Sequence, residues 1–407
     1  MAIRKTLRPE DLASAALELV AESGIGGLTL RPLAARLGTT VSVVSYQFGQ
    51  KEQILETVIR GAGDAEARYF DDWRRKLGPS PAISAGLAAH VLEQVLVDLT
   101  TGHRSHTLLY SELLFNVSSV PESEALAAWV ERRRQFCAWL VAHMAQRPAF
   151  DLAGLIDGFL VDECAYSLAL DRLESYRWMR RLCIGRLMGG LLPASREAGD
   201  QALFDVNFEN MRDEAGYAAT RDGRDYDRGQ DEIVQACADL ISENGISGLT
   251  HRSVGQKAGA AASTVAYHFP TQPDLVRAGL ARLIPGEQTR IQRDGTAIYA
   301  ATEVAQALPS LRRLQGFEIA RAGFGIALSA VRDPDWFAAA ADFRALRGFF
   351  LSNTMIAEME PVPFDRLGVQ AVVLSASGCA NRDAWQGAEV ATRKALQLVF
   401  DTLEALQ

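Results

Sequence analysis

Residues 24–48 read GIGGLTLRPLAARLGTTVSVVSYQF, and residues 245–269 read GISGLTHRSVGQKAGAAASTVAYHF. The second stretch follows the first at a constant offset of 221, and the match extends without a gap from Pro9–Leu55 onto Gln230–Val276. Fourteen of these 47 positions are identical, among them Leu19/Leu240, Gly24/Gly245, Thr29/Thr250, Arg31/Arg252, Gly38/Gly259, Val44/Val265, Tyr46/Tyr267 and Phe48/Phe269. Identities fall at turns and apolar sites, whereas chance similarity between helices would scatter. The chain reads as a tandem duplication.

Each copy has the pattern of three short helices. Leu12, Ala15, Ala16, Leu19 and Val20 recur at helical spacing and give the first helix one apolar face. Gly24 and Gly245 fit the left-handed residue that ends it. Thr29 and Thr250 are placed to cap a second helix, Leu30–Leu37 or His251–Ala258, in which Pro32 is tolerable because it falls in the first turn. Gly38 and Gly259 stop that helix, and a third begins near Thr40 or Ala261. Helix, short glycine turn, helix is the helix-turn-helix layout.

Outward from each copy run 130–140 residues of helical pattern. Expected helices in the first half are Lys51–Trp73, Ile83–Leu99, Ser105–Val117, Glu124–Gln146, Leu152–Leu170 and Glu174–Leu192. In the second they are Pro273–Leu283, Ala297–Leu308, Leu311–Val331, Pro334–Glu360, Phe364–Cys379 and Trp385–Leu406. No convincing alternation of period two appears, so the fold class is all-α. The expected organisation is a helix-turn-helix domain over 1–50, a helical domain over 51–193, a second helix-turn-helix domain over 228–271 and a second helical domain over 272–407. Residues 194–227, polar and rich in Asp, Arg and Gly, read as the linker between halves despite an amphipathic patch at Leu203, Val206, Phe208 and Met211.

Bulk properties narrow the function. A chain of 407 residues, 48% hydrophobic and 23% charged, has the composition of a multidomain globular protein. No stretch approaches the ~18 apolar residues of a membrane helix, and no apolar block follows the basic start, so no signal peptide is expected. Five widely spaced cysteines suggest neither a disulfide framework nor a zinc site, and the reducing cytoplasm is the expected compartment. A net charge of −8 argues against coating nucleic acid or anionic lipid with the whole surface, though it leaves room for a local basic footprint.

The stretch Thr29–Gly38, followed by Ser45–Leu55, resembles the DNA-binding domain of TetR/AcrR-family bacterial transcription regulators, and Thr250–Gly259 with Ala266–Phe269 resembles it again. The resemblance covers about 50 residues per copy; the long helical segments match only in length and character. Asp157-Gly158 within an apolar helix looks like the first of two helices through which members dimerise. The resemblance implies that the third helix enters the major groove of double-stranded DNA. Side chains facing bases would be Thr39, Thr40, Ser42, Val43 and Gln47 in the first copy, and Ser263, Thr264 and His268 in the second. Tyr46 and Tyr267 match a phosphate-contacting position. Thr29, Arg31, Thr250 and Arg252 would bind phosphate from the start of the second helix, and Lys51 from the start of the fourth. Arg4, Lys5 and Arg8 form a basic arm of the kind that follows a groove.

The copies differ. Gln272 and Pro273 stand where the first copy has Lys51 and its neighbour, Ala261 replaces the cap at Thr40, and Gly255 replaces the helix former Ala34. Residues 1–60 carry seven Arg/Lys against six Asp/Glu, while residues 221–283 carry seven against eight. The first copy is therefore expected to bind DNA more strongly. Neither third helix holds an Arg or Lys, the commonest guanine readers. Specificity should then lean on Ser, Thr, Gln and His bonds, on thymine methyl contacts through Val41, Val43 or Ala262, and on DNA shape.

Two joined but unlike halves suggest an intramolecular pseudo-dimer on a non-palindromic operator, since protein symmetry is mirrored in the site. A linker of about 30 residues reaches at most ~100 Å and averages nearer ~30 Å as coil. A homodimer of tandem chains, with four readers, is the alternative. The resemblance also implies repression as the default and a small-molecule effector in the helical domains. Candidate lining residues are Trp73, Tyr110, Phe115, Trp129, Phe136 and Trp139 in the first half. In the second they are Phe317, Phe324, Trp336, Phe343 and Phe350. No charged cluster stands out there, so an apolar or amphipathic effector is the default.

The remaining signals favour plain readings. His103-x-x-His106 lacks a third ligand at matching spacing, Glu131–Arg134 looks like a solvated helix face, and Asp162-Glu163-Cys164 has no histidine in a catalytic arrangement. No phosphate-loop ending is present. No enzymatic activity, cofactor or metal is expected. The competing expectation is a helical effector-binding or protein-interaction module that no longer reads DNA, supported by the acidic balance and the eroded second copy.

Overall fold

The computed structural model describes residues 7–116, 123–193, 199–216, 226–244, 246–280, 282, 316–348 and 364–406. The fold is all-α. Among the described residues the β geometry is confined to one isolated bridge, Ile83–Met144.

Helix α1 (Pro9–Gly27) begins with a proline and two acidic residues, which suit the exposed amides of a helix start. It buries Leu12, Ala15, Ala16, Leu19 and Val20, the stripe its sequence marks out. Instead of ending at Gly24, α1 kinks there and resumes: φ is +69°, and a Cβ would press on the Glu112 carboxylate. Helices α2 (Leu30–Arg36) and α3 (Val41–Phe48) are separated by Gly38 at φ +64° and set Leu33, Ala34 and Val44 into the core. Helix α4 (Lys51–Leu77) packs beside α1 and continues outward to α7 (Glu124–Ala142). Ser123 ties the two together: it caps α7 at Leu126 N (3.0 Å) and donates to Glu56 Oε2 of α4 (2.6 Å).

Helices α5 (Ala85–Thr100), α6 (Arg104–Phe115), α8 (Leu152–Leu170) and α9 (Glu174–Met188) complete the N-terminal bundle. Helix α8 is buried on nearly all sides, its carboxylates Asp157, Asp162 and Glu163 included. The stretch read as a linker contains α10 (Asp200–Glu214), which corrects the coil assumed for it. Phe204, Phe208 and Met211 are buried, whereas Leu203 and Val206 of the same patch are exposed, and α10 packs on α9.

The C-terminal half repeats the opening order. Helix α11 (Arg228–Asn244) is followed by α12 (His251–Ala258), α13 (Ala262–His268) and α14 (272–280). Shifted by 221, the first residues of α2, α3 and α4 fall on those of α12, α13 and α14. Next come α15 (Gly316–Ala330), α16 (Phe337–Leu346), α17 (Arg366–Asp383) and α18 (Ala388–Ala405). The single helix expected over Pro334–Glu360 is instead a 3-10 turn (Pro334–Trp336) and α16, which ends before Gly348 at φ +74°. The expected helix Ala297–Leu308 lies outside the described residues.

The halves meet along α8 and α17, with α17 also packed on α9 and α18. Gly158 and Gly378 let the two backbones touch: a Cβ on Gly158 would collide with the Ser375 carbonyl, and one on Gly378 with that of Gly158. Around this crossing the N-terminal half supplies carboxylates and the C-terminal half guanidiniums. Glu163 pairs with Arg344 (3.0 Å), Asp162 with Arg347 (2.9 Å) and Asp157 with Arg382, all buried. Arg186 reverses the polarity, reaching Asp365 at 2.6 Å. No described helix is long and apolar enough to cross a membrane.

Candidate nucleic-acid interface

Helix α3 projects from the N-terminal domain with one buried side chain, Val44, on its inner face. Val41, Ser42 and Tyr46 are exposed, Val43 is half-buried, and Tyr46 stands 82% exposed. Thr40 caps the helix by accepting from Val43 N at 3.4 Å, while Thr39 is half-buried in the turn. Exposed Thr29 and Arg31 open α2, and exposed Lys51 opens α4, where amide dipoles favour anions. Thr29 makes no bond to the amides of its own helix.

Gln47, expected to face bases, is half-buried. Its Oε1 accepts from Leu7 N (3.1 Å), so the carboxamide holds the chain's entry to the domain against α3. Arg8, next along, is exposed and paired with Asp11 at 3.2 Å; Arg4 and Lys5 lie outside the described residues.

The C-terminal segment repeats this surface with other chemistry. Ser263 and Thr264 are exposed on α13, and Tyr267 is 83% exposed. His268, at the position of Gln47, is likewise turned inward, 3.1 Å from Gln230 Nε2. Exposed Thr250 closes a reciprocal cap with Ser253, accepting from its amide at 3.0 Å while Ser253 Oγ accepts from Thr250 N at 2.9 Å. Arg252 is exposed. Gln272, in place of Lys51, donates to the Leu249 carbonyl at 2.8 Å. Gly255 is more than a poor helix former, since a Cβ there would meet backbone atoms of the turn at 260–262.

The aromatic residues proposed for an effector region are mostly core. Tyr110, Trp129 and Phe136 are buried, and Trp73 and Trp139 are half-buried, with Trp73 Nε1 donating to Tyr69 (2.7 Å). Phe115 meets buried Phe324 of α15, ring centroids 6.4 Å apart, and Trp336 and Phe343 are buried. The side chains of Phe317 and Phe350 lie outside the described residues. A charged cluster sits where none was expected. Glu66 accepts from Arg133 through both oxygens (2.6 Å each) and from Trp129 Nε1 (2.8 Å), and the Arg133 guanidinium lies 3.8 Å over the Tyr110 ring. Tyr110 Oη and Arg133 Nη1 have no hydrogen-bond partner among the described residues.

The sequence carries the signal for this cluster. Glu66 continues the buried stripe Ile59, Ala62, Gly63 and Phe70, and Arg133 continues Trp129, Val130, Phe136 and Cys137. The run Glu131–Arg134 is thus no single solvated face, because Arg133 points into the core while Arg134 is exposed. Asp162 and Glu163 are committed to Arg347 and Arg344, and burial pushes the Cys164 thiol up to about 12. His103 packs on Tyr69 and His106 on His103, and among the described residues no three potential metal ligands gather.

Compared with known proteins, residues 12–58 match the family described as bacterial regulatory proteins, tetR family. The chain is 25% identical over 185 residues to the HTH-type transcriptional regulator BetI of Escherichia coli O157:H7, covering 41% of this chain and 88% of that protein. Regulators of the same name from Escherichia coli O45:K1 and strain UTI89 match at 25% over 178 residues, with the same coverage.

Proposed function

We propose that this chain, whose residues 12–58 form a helix-turn-helix domain of the tetR family, is a sequence-specific DNA-binding transcription regulator built as a covalent pseudo-dimer. The observation that carries the reading is the paired exposure of Tyr46 and Tyr267. They occupy the same register on α3 and α13, in two segments held on one body by the α8–α17 crossing. Tyrosine, arginine and lysine at such positions bind phosphate and set the docking, and the short polar residues Ser42, Ser263 and Thr264 face the bases.

The chemistry ranks the two segments. The N-terminal one presents Arg31, Lys51 and Tyr46, whereas the C-terminal one has Gln272 folded into its own framework and an uncapped α13. The first reader supplies most of the affinity and the second adds a weaker, unlike half-site. The fusion also explains the sign of the clasp. If two N-terminal halves paired through α8, Asp157, Asp162 and Glu163 would face one another, whereas the C-terminal half meets them with arginines. An effector acting within the helical domains would meet the Glu66–Arg133–Tyr110 cluster, which favours a ligand with polar groups over a wholly apolar one.

Selection of random duplexes with the intact chain, followed by sequencing of the bound pool, tests the reading. Two unlike half-sites about one helical turn apart are expected. A single half-site would leave the C-terminal segment as scaffold. No enrichment at low salt would shift the assignment to an interaction module, because phosphate-driven binding is strongest there.

A further inference from the structure

The first helix-turn-helix domain is held by more than its own half. Arg332, just beyond α15 in the C-terminal half, reaches across to the end of α1. Its Nη2 donates to the Val20 carbonyl (3.0 Å), its Nε to the Ala21 carbonyl (3.3 Å), and its Nη1 pairs with Glu112 of α6 (2.6 Å). These carbonyls belong to the last turn before the kink at Gly24, where helical bonding is interrupted and a cation is favoured. Glu112 completes the grip by accepting from Ile25 N at 3.4 Å, on the far side of the kink. One guanidinium and one carboxylate therefore hold both arms of the bend in α1.

The same helix, α15, also touches the second segment. A Cβ on Gly325 would collide with Ile246, which is the counterpart of Ile25 at offset 221. It would equally meet the Phe115 ring of α6, and Arg321 of α15 donates to the Phe115 carbonyl. Helix α15 thus forms a common floor, bonded to the N-terminal domain through Arg332 and packed on the C-terminal one through Gly325.

We propose that Arg332 is a positioning residue through which the C-terminal half sets the orientation of the N-terminal reader. The inference rests on the DNA-reading function and adds its regulation. A shift of α15 moves Arg332, and with it the bend of α1 and the reading helix packed beyond it. On this reading the C-terminal half governs DNA binding even where its own segment contributes little contact. The direction follows from preorganisation: a reader fixed before binding loses less freedom on docking, so releasing it weakens binding.

The test uses the full chain with Arg332→Ala and Arg332→Lys, read by amide hydrogen exchange over residues 20–28 and by affinity for a duplex recovered from the selection. Arg332→Ala should accelerate exchange in that segment and weaken DNA binding roughly 5- to 20-fold, within the range of ordinary site-to-site couplings. The slope of log affinity against log salt should not change, because no phosphate contact is lost. Arg332→Lys, which keeps the cation, should recover part of both effects. Unchanged exchange would overturn the clamp. Weaker binding with a shallower salt slope would also overturn it, since Arg332 would then be touching DNA itself. If the wild-type chain selects no duplex, the DNA-reading function fails, while the exchange measurement still decides whether Arg332 holds α1.

Discussion

The segments 9–55 and 230–276 place the starts of their second, third and fourth helices at the same offset and use the residues there in opposite ways. Thr250 turns its hydroxyl onto α12 and Ser253 answers it, whereas Thr29 leaves the amides of α2 alone. One helix later the roles exchange, Thr40 capping α3 while Ala261 has nothing to offer α13. At the next start Lys51 is exposed and Gln272 is bonded back to Leu249. Shape is carried by what the segments share: Val44 and Val265 in the core, Gly38 and Gly259 at positive φ. What differs is how the outward groups are used. Thr250, exposed like Thr29, is bonded to Ser253, and Gln272 is bonded back to Leu249.

That contrast matters only while both segments ride on one body, so the largest expected effect lies in the clasp. Arg344→Ala leaves Glu163 buried without its cation, and about 3–5 kcal/mol of stability should be lost. Replacing both members with apolar residues of similar size should return most of it. Urea unfolding of the three proteins measures this; a loss under about 1 kcal/mol for Arg344→Ala would mean that the halves are not joined through this pair. Next in size is a direct contest between the two proposed reading segments. Arg31→Ala should weaken DNA binding roughly 10- to 100-fold, the worth of a hydrogen bond to a charged group, and Arg252→Ala less than about threefold. Equal losses would break the ranking and make the segments equivalent readers.

The parts that could be read from the sequence are those that local chemistry decides. Helix α8 has the bounds that its apolar run sets, Leu152–Leu170, and the starts of α2 and α3 follow their threonines and glycines. The parts that escaped depend on partners distant in the chain. Glu163 and Arg344 are 181 residues apart, and nothing beside either one names the other. Gln47 looks available on a helix drawn alone, yet the amide that occupies it lies 40 residues earlier. Helix α10 was hidden by its polar composition, because its apolar residues form a short stripe that acquires meaning only against α9 and α16.

Acidity offers a subtler probe of the same clasp. Burial pushes the Asp162 carboxyl up to about 6, more than offsetting the pull of Arg347 beside it. In the unfolded chain the same group titrates near about 3.9. The raised folded value means that its proton-linked stabilisation is fully present below the unfolded value and fades as pH rises through 6. Wild-type protein should therefore lose about 1 kcal/mol between pH 5 and pH 7 that Asp162→Asn does not lose. Parallel stability–pH curves for the two proteins would show that the carboxyl titrates normally.

The smallest effects bear most directly on how the two segments differ. Thr40→Ala should cost about 1 kcal/mol by removing the bond to Val43 N, and Ala261→Thr should return a similar amount to α13, whose extended backbone at 261 already suits a cap. Stability alone does not make a reader, so the informative version adds Gln272→Lys and measures DNA binding. If the C-terminal segment lacks only a cap and a cation, the double variant should strengthen binding and steepen the salt slope by about 0.9, one phosphate contact. If binding stays where it was, the difference lies deeper, in the turn that Gly255 lets approach more closely than Ala34 could, and the angle of α13 is the element that changed.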